Sequence, residues 1–126
     1  IFIVDLATGQ VLDTLEGVDA MGVGVYHGAQ DKRLYYGLTR RPEVWSIALD
    51  DQGRFAGEPR FELALTGLPT EGRQTVRRMR FGEGTGATFY LVNFNYTLQV
   101  AGERQETVLQ FVYDPFSDTW SAAATP

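Results

Sequence analysis

The chain has 126 residues, with eleven Lys and Arg against sixteen Asp and Glu, a net charge of −5, one histidine and no cysteine. That length is one domain with a core of useful size, and the missing cysteines exclude thiolate zinc sites, iron–sulfur clusters and cysteine nucleophiles. The acidic balance disfavours nucleic acid and anionic membranes as partners, and no apolar run reaches the roughly eighteen residues that would span a bilayer.

The chain opens at Ile1, inside an apparent strand, with neither Met nor a signal-peptide pattern, and so reads as a fragment, a processed product or a trimmed chain. Ile1 to Leu6 and Gln10 to Leu15 flank Ala7-Thr8-Gly9 and predict a hairpin. After a connector at Glu16 to Asp19, Met21 to Tyr26 is a strand whose Gly22 and Gly24 share a face, a spacing that points to another backbone or a crowded axis approaching it. His27 to Lys32 is turn chemistry, Arg33 to Leu38 a strand, Thr39 to Pro42 a turn and Glu43 to Leu49 a strand. The return strand is expected over Arg54 to Ala56, broken at Gly57-Glu58-Pro59 and resumed over Arg60 to Leu65. Leu68 to Gly72 is a further break. Strands follow at Thr75 to Phe81, Thr88 to Val100 and Thr107 to Tyr113, with loops at Gly82 to Gly86 and Ala101 to Glu103, and Trp120 opens a short last strand. β-branched and aromatic residues dominate these runs, and no stretch predicts a helix.

One pattern is written three times. VWSIALDDQGRF (Val44 to Phe55), VLQFVYDPFSDTW (Val108 to Trp120) and IFIVDLATGQVL (Ile1 to Leu12) align on Asp50, Asp114 and Asp5. Each reads as a strand, an Asp whose carboxylate accepts N–H groups of the turn, and a returning strand. Val25 to Leu38 lines up with Arg80 to Val92, so Met21 to Phe61 and Val76 to Trp120 are each about four strands. Four strands per unit, repeating at roughly forty residues or more, is the signature of propeller blades. The expected fold is all-β: antiparallel four-stranded propeller-like blades in an incomplete ring. The single unit 1–126 divides into a half blade (1–20), a blade (21–75) and a blade (76–126). The rival is an up-and-down barrel or a sandwich, which also suits short hairpins without helices.

RLYYGLTRRPEVWSIALDDQGRFAGEPRF (Arg33 to Phe61) resembles a blade of the β-propeller superfamily, nearest to its six-bladed gluconolactonase-like and royal-jelly-like branches. The resemblance covers one blade well, the second loosely and the first half blade. Two and a half blades close no ring, so other propeller segments or protein chains are the partners it implies. The gluconolactonase-like branch holds a divalent ion with Asn and Asp or Glu, which makes Asn93 and Asn95, on one face of the Phe89 to Leu98 strand, the candidates for a Ca²⁺ site. Without that implication no cofactor is expected.

The remaining candidates are single residues and small clusters. His27, at a strand end, is a candidate ligand-binding residue, though no second His accompanies it and a turn or packing role competes. Arg73, Arg77, Arg78 and Arg80 form a basic cluster in which Arg78 and Arg80 share a face. They either grip a small polar or anionic ligand or form a solvated edge paired with the chain's acids. Asp5, Asp50 and Asp114 read as turn caps rather than a shared calcium site. Gly82 to Gly86 is a hairpin turn and not a phosphate loop, because strand follows it. Asn95-Tyr96-Thr97 fits the N-glycosylation pattern, and Trp45 and Trp120 are either sugar platforms or packing residues. No catalytic residue is assigned. The functional expectation is a noncatalytic ligand-binding or protein-interaction module, with a calcium-dependent lactonase-like hydrolase and a small lipophilic-ligand-binding barrel as alternatives.

Overall fold

The computed structural model describes residues 1–28, 30–65, 74–81, 88–95, 106–114 and 117–122. Leu68 to Gly72, Gly82 to Gly86, Ala101 to Glu103 and the part of Asn95-Tyr96-Thr97 beyond Asn95 lie outside them.

The ten described strands are all antiparallel to their neighbours. A hairpin of β1 (Phe2–Val4) and β2 (Val11–Thr14) precedes a four-stranded sheet of β3 (Ala20–His27), β4 (Lys32–Leu38), β5 (Glu43–Leu49) and β6 (Phe55–Ala64), ordered as in the chain. A second four-stranded sheet repeats that order with β7 (Gln74–Phe81), β8 (Thr88–Asn95), β9 (Glu106–Asp114) and β10 (Thr119–Ala122). Strands of different sheets are not hydrogen-bonded to each other, so no closed barrel forms among the described residues. The first strands, β3 and β7, lie against each other, and the last, β6 and β10, approach at the far side.

The two faces of the β3–β6 sheet do different work. Alternation puts Leu34, Tyr36 and Ile47 on one face, covered by Leu15, Val18 and Phe55 from the hairpin, the connector and β6. The other face carries Arg33, Tyr35, Val44 and Ser46, all buried, and meets the second sheet. There the Trp120 ring stands edge-on to Tyr26 and Tyr35, with centroids 5.3 and 5.9 Å away. Tyr35 is 1 % exposed, which explains why β4 is apolar and aromatic on both faces. Gly22 and Gly24 alternate in phase with Tyr26, so their face is the one turned to the second sheet, where β7 comes close, as their spacing suggests.

In all three Asp turns the carboxylate accepts from a residue of its own turn, a backbone N–H at Asp5 and Asp50 and a hydroxyl at Asp114. Asp5 Oδ1 accepts the N–H groups of Ala7 and Thr8 at 2.8 and 3.1 Å. Asp50 Oδ1 accepts those of Gln52 and Arg54, both at 2.9 Å. Asp114 Oδ2 accepts the Ser117 hydroxyl at 2.7 Å. Each turn ends on a left-handed residue: Gly9, Gly53 at φ 77°, and Asp118 at φ 53° in place of glycine. Asp is one of the few side chains that tolerate this region. The hairpin is tied to the first sheet by Asp13, whose Oδ2 accepts the Phe55 N–H at 3.0 Å.

One expected break is absent. β6 runs unbroken from Phe55 to Ala64 through Gly57-Glu58-Pro59. Ala56 pairs with Ala48 and Arg60 with Ser46, so three residues bulge opposite Ile47 alone. Gly57, at φ 75°, supplies the left-handed step of the bulge, and β6 is the edge strand, where a proline without an N–H removes no inner ladder bond.

Asp50→Ala is expected to lower stability by about 1–2 kcal/mol, because two turn N–H groups lose a charged acceptor. A urea titration followed by circular dichroism measures it, and an unchanged midpoint would contradict the capping role.

Candidate functional site

The residues singled out from the sequence do not gather at one place. His27 ends β3 opposite Lys32 and is exposed. Arg78 and Arg80 sit in β7 opposite Val92 and Tyr90. Asn93 pairs with Val76 on one side and Thr107 on the other, and Asn95 with Gln74. His27 and the two arginines are thus on neighbouring strands, whereas both asparagines are on β8, one strand further out. No group of three His, Asp or Glu side chains that could hold a metal ion occurs among the described residues.

Two arrangements that the sequence did not single out are more organised. The first is a buried polar chain between the sheets. Arg33 Nη1 donates to Asp31 Oδ2 at 2.7 Å, and its Nε donates to Ser46 Oγ at 2.7 Å. The Ser46 hydroxyl donates onward to Glu62 Oε1, which also receives Arg60 Nε–H at 2.8 Å. Arg60 Nη1 then crosses to Asp118 Oδ2 of the second sheet at 3.1 Å. Burial works against the Arg60 charge, but Glu62 and Asp118 more than offset it and raise the pKa above the usual arginine value. Ser46 is fully buried and its hydroxyl is engaged on both sides, so this chain is a fastener rather than a nucleophile with its base.

The second arrangement is a cavity of about 340 Å³ on the opposite face of the first sheet. Val18, Tyr36, Leu38, Trp45 and Pro59 make its wall. Asp19, Arg40 and Arg41 stand at its rim. The strands dictate this grouping: Tyr36 and Trp45 are directly paired across β4 and β5, and the chain between these strands turns through Arg40 and Arg41. The turn is held by Thr39 N–H on the Asp19 carbonyl and Glu43 N–H on the Arg41 carbonyl, both at 2.8 Å. Trp45 is fixed from two sides, its Nε1 donating to Glu43 Oε2 at 3.0 Å and its ring edge-on to Phe61 at 5.6 Å. Arg40 reaches Asp19 through Nε at 3.2 Å, and Arg41 lies 3.9 Å from Glu43. Of the two tryptophans, Trp120 packs between the sheets while Trp45 lines this cavity.

No protein-family model, curated protein or solved structure matches this chain. Its functional reading therefore rests on the geometry itself. Arg40 and Arg41 went unnoticed in the sequence because they sit in a turn, where charge is ordinary. The available signal was an arginine pair in an acidic chain, enclosed between strands bearing Tyr36 and Trp45.

Glu62→Ala would leave the buried Arg33 and the partly exposed Arg60 without their shared carboxylate, an expected loss of about 2–3 kcal/mol in a denaturant titration. A loss within the range of an exposed ion pair would show that the chain does not hold the sheets. Tyr35 gives a separate handle. Burial pushes its hydroxyl from the ordinary 10.0 up to about 12, with the neighbouring Trp120 indole opposing the rise. The unfolded chain releases this proton near the ordinary value while the folded chain still holds it. Stability from this source is intact below the window and falls as pH rises through it. The thermal midpoint should drop between about pH 10 and 12 by more in the parent than in Tyr35→Phe.

Proposed function

We propose that this chain is a noncatalytic propeller-like module for ligand binding or protein interaction, forming part of a larger propeller or assembly. The carrying observation is the repeated topology: two successive four-stranded meanders, placed first strand by first strand and last by last, with the Asp turn recurring between third and fourth strands. The β1–β2 hairpin carries the same turn and so stands as the outer half of a third unit. Blades around a ring have this relation, because their first strands share an axis and their last strands lie outside.

The reading is supported by what the hairpin leaves uncovered. Only one edge of β1 is paired among the described residues, and Phe2 and Val4 are exposed. Along β3 the outward face presents Met21, Val23 and Val25, each about half exposed. Large apolar side chains in one row are a partner surface more often than a solvent surface. Inner strands completing the hairpin's unit would cover this row, and they are supplied by another polypeptide segment or another chain.

Light scattering on the purified chain tests this reading. Self-association at about micromolar concentrations is expected, since burial contributes roughly 25 cal/mol per Å² of apolar surface. Val25→Asp should shift it toward monomer while the circular dichroism spectrum is kept. A cooperatively folded parent that stays monomeric near millimolar concentration would overturn it.

A further inference from the structure

We infer that the cavity beside Trp45 is a binding site for a small organic carboxylate with a flat apolar body. The site shares no residue with the exposed rows of β1 and β3, though Tyr36 of its wall pairs with Val23, and its argument does not require the ring reading.

Volume sets the first limit. About 340 Å³ is at the lower end of ligand pockets and accommodates one or two fused rings rather than a peptide or a lipid chain. The wall sets the second. Tyr36 is buried, and Val18, Leu38 and Pro59 are partly so; together with Trp45 they offer an apolar and aromatic lining. The Trp45 indole is held by Glu43 and Phe61, so its face is already positioned and a stacked ring would not have to order it.

The rim sets the polar partner. It presents two guanidiniums, Arg40 and Arg41, beside the carboxylates of Asp19 and Glu43. Both guanidiniums stand in exposed ion pairs. Arg40 meets Asp19 through Nε at 3.2 Å, with both side chains well exposed. Arg41 stands 3.9 Å from Glu43 Oε2, an oxygen that already accepts the Trp45 N–H. Exposed single-contact pairs of this kind are worth little. A planar carboxylate that receives two parallel N–H groups is the better partner for a guanidinium fork. The turn hydrogen bonds at Thr39 and Glu43 keep both arginines beside the apolar wall, so a ligand with an acid at one end and a ring at the other meets both features together.

The test uses 1-naphthylacetate and its neutral amide as probes of equal shape, titrated into the intact chain labelled with ¹⁵N. The acid is expected to shift the Trp45 indole N–H resonance saturably and to bind about tenfold more tightly than the amide, as one charge-assisted contact gives. Arg41→Gln should remove most of that preference, with the amide's affinity unchanged. Equal binding of acid and amide by the parent chain would overturn the inference, and so would shifts that spread over Val23 and Val25 without saturating at Trp45. Because the readout is the acid-to-amide ratio at one indole, it stands or falls independently of the association measured by light scattering.

Discussion

A carboxylate drawn away from water is tolerated only when it is paired and hydrogen-bonded. Glu62, with its side chain 5 % exposed, meets that condition by taking the Ser46 hydroxyl and the Arg60 guanidinium on one oxygen. Much else follows from this carboxylate. Arg60 is oriented so that its other nitrogen reaches Asp118 across the gap between the sheets. Trp120, two residues further on, is thereby set against Tyr35. Ion pairing and aromatic packing thus meet at one seam, through Arg60 with Asp118 and Tyr35 with Trp120.

The cavity depends on the same strands from behind. Along β4, Arg33 and Tyr35 face the second sheet while Tyr36 and Leu38 face the hairpin. On β5 the same alternation separates Ser46 from Trp45. Because side chains alternate with period two, a one-residue slip would exchange the fastener for the cavity wall. The register is therefore specified twice, once by buried charge and once by apolar cover, and the bulge at Gly57 to Pro59 takes up the extra length of β6 without disturbing either.

What could be read from the sequence was local. The Asp turns were legible because an acceptor, a left-handed residue and the returning strand lie within a few positions of each other; Asp5 and Asp50 accept backbone N–H groups as expected, while Asp114 takes the Ser117 hydroxyl. All-β character and four-stranded grouping followed from strand spacing. The continuity of β6 was hidden because Gly and Pro signal a break unless the strand is known to lie at an edge, and edges are a property of the assembled sheet. The polar chain was hidden by distance: Arg60 and Asp118 are 58 positions apart, and no local pattern marks such a pair. The cavity was missed for a related reason. Its wall comes from paired strands but its closure comes from Gly17 to Asp19, a connector that carries no signal until it folds over Tyr36.

The meander order has a bearing on how the chain reaches this state. Within each sheet every pairing joins strands adjacent in sequence, so each loop that must close is short and contact order inside a sheet is low. The contacts most distant in sequence lie at the seam, where β3 meets β7 and Arg60 meets Asp118. Sequence separation thus divides the structure into two meanders paired from neighbour to neighbour and one seam that joins residues more than fifty positions apart, through Arg60 and Asp118. A chain built this way places its most distant partners at one charged seam rather than spreading them along its length.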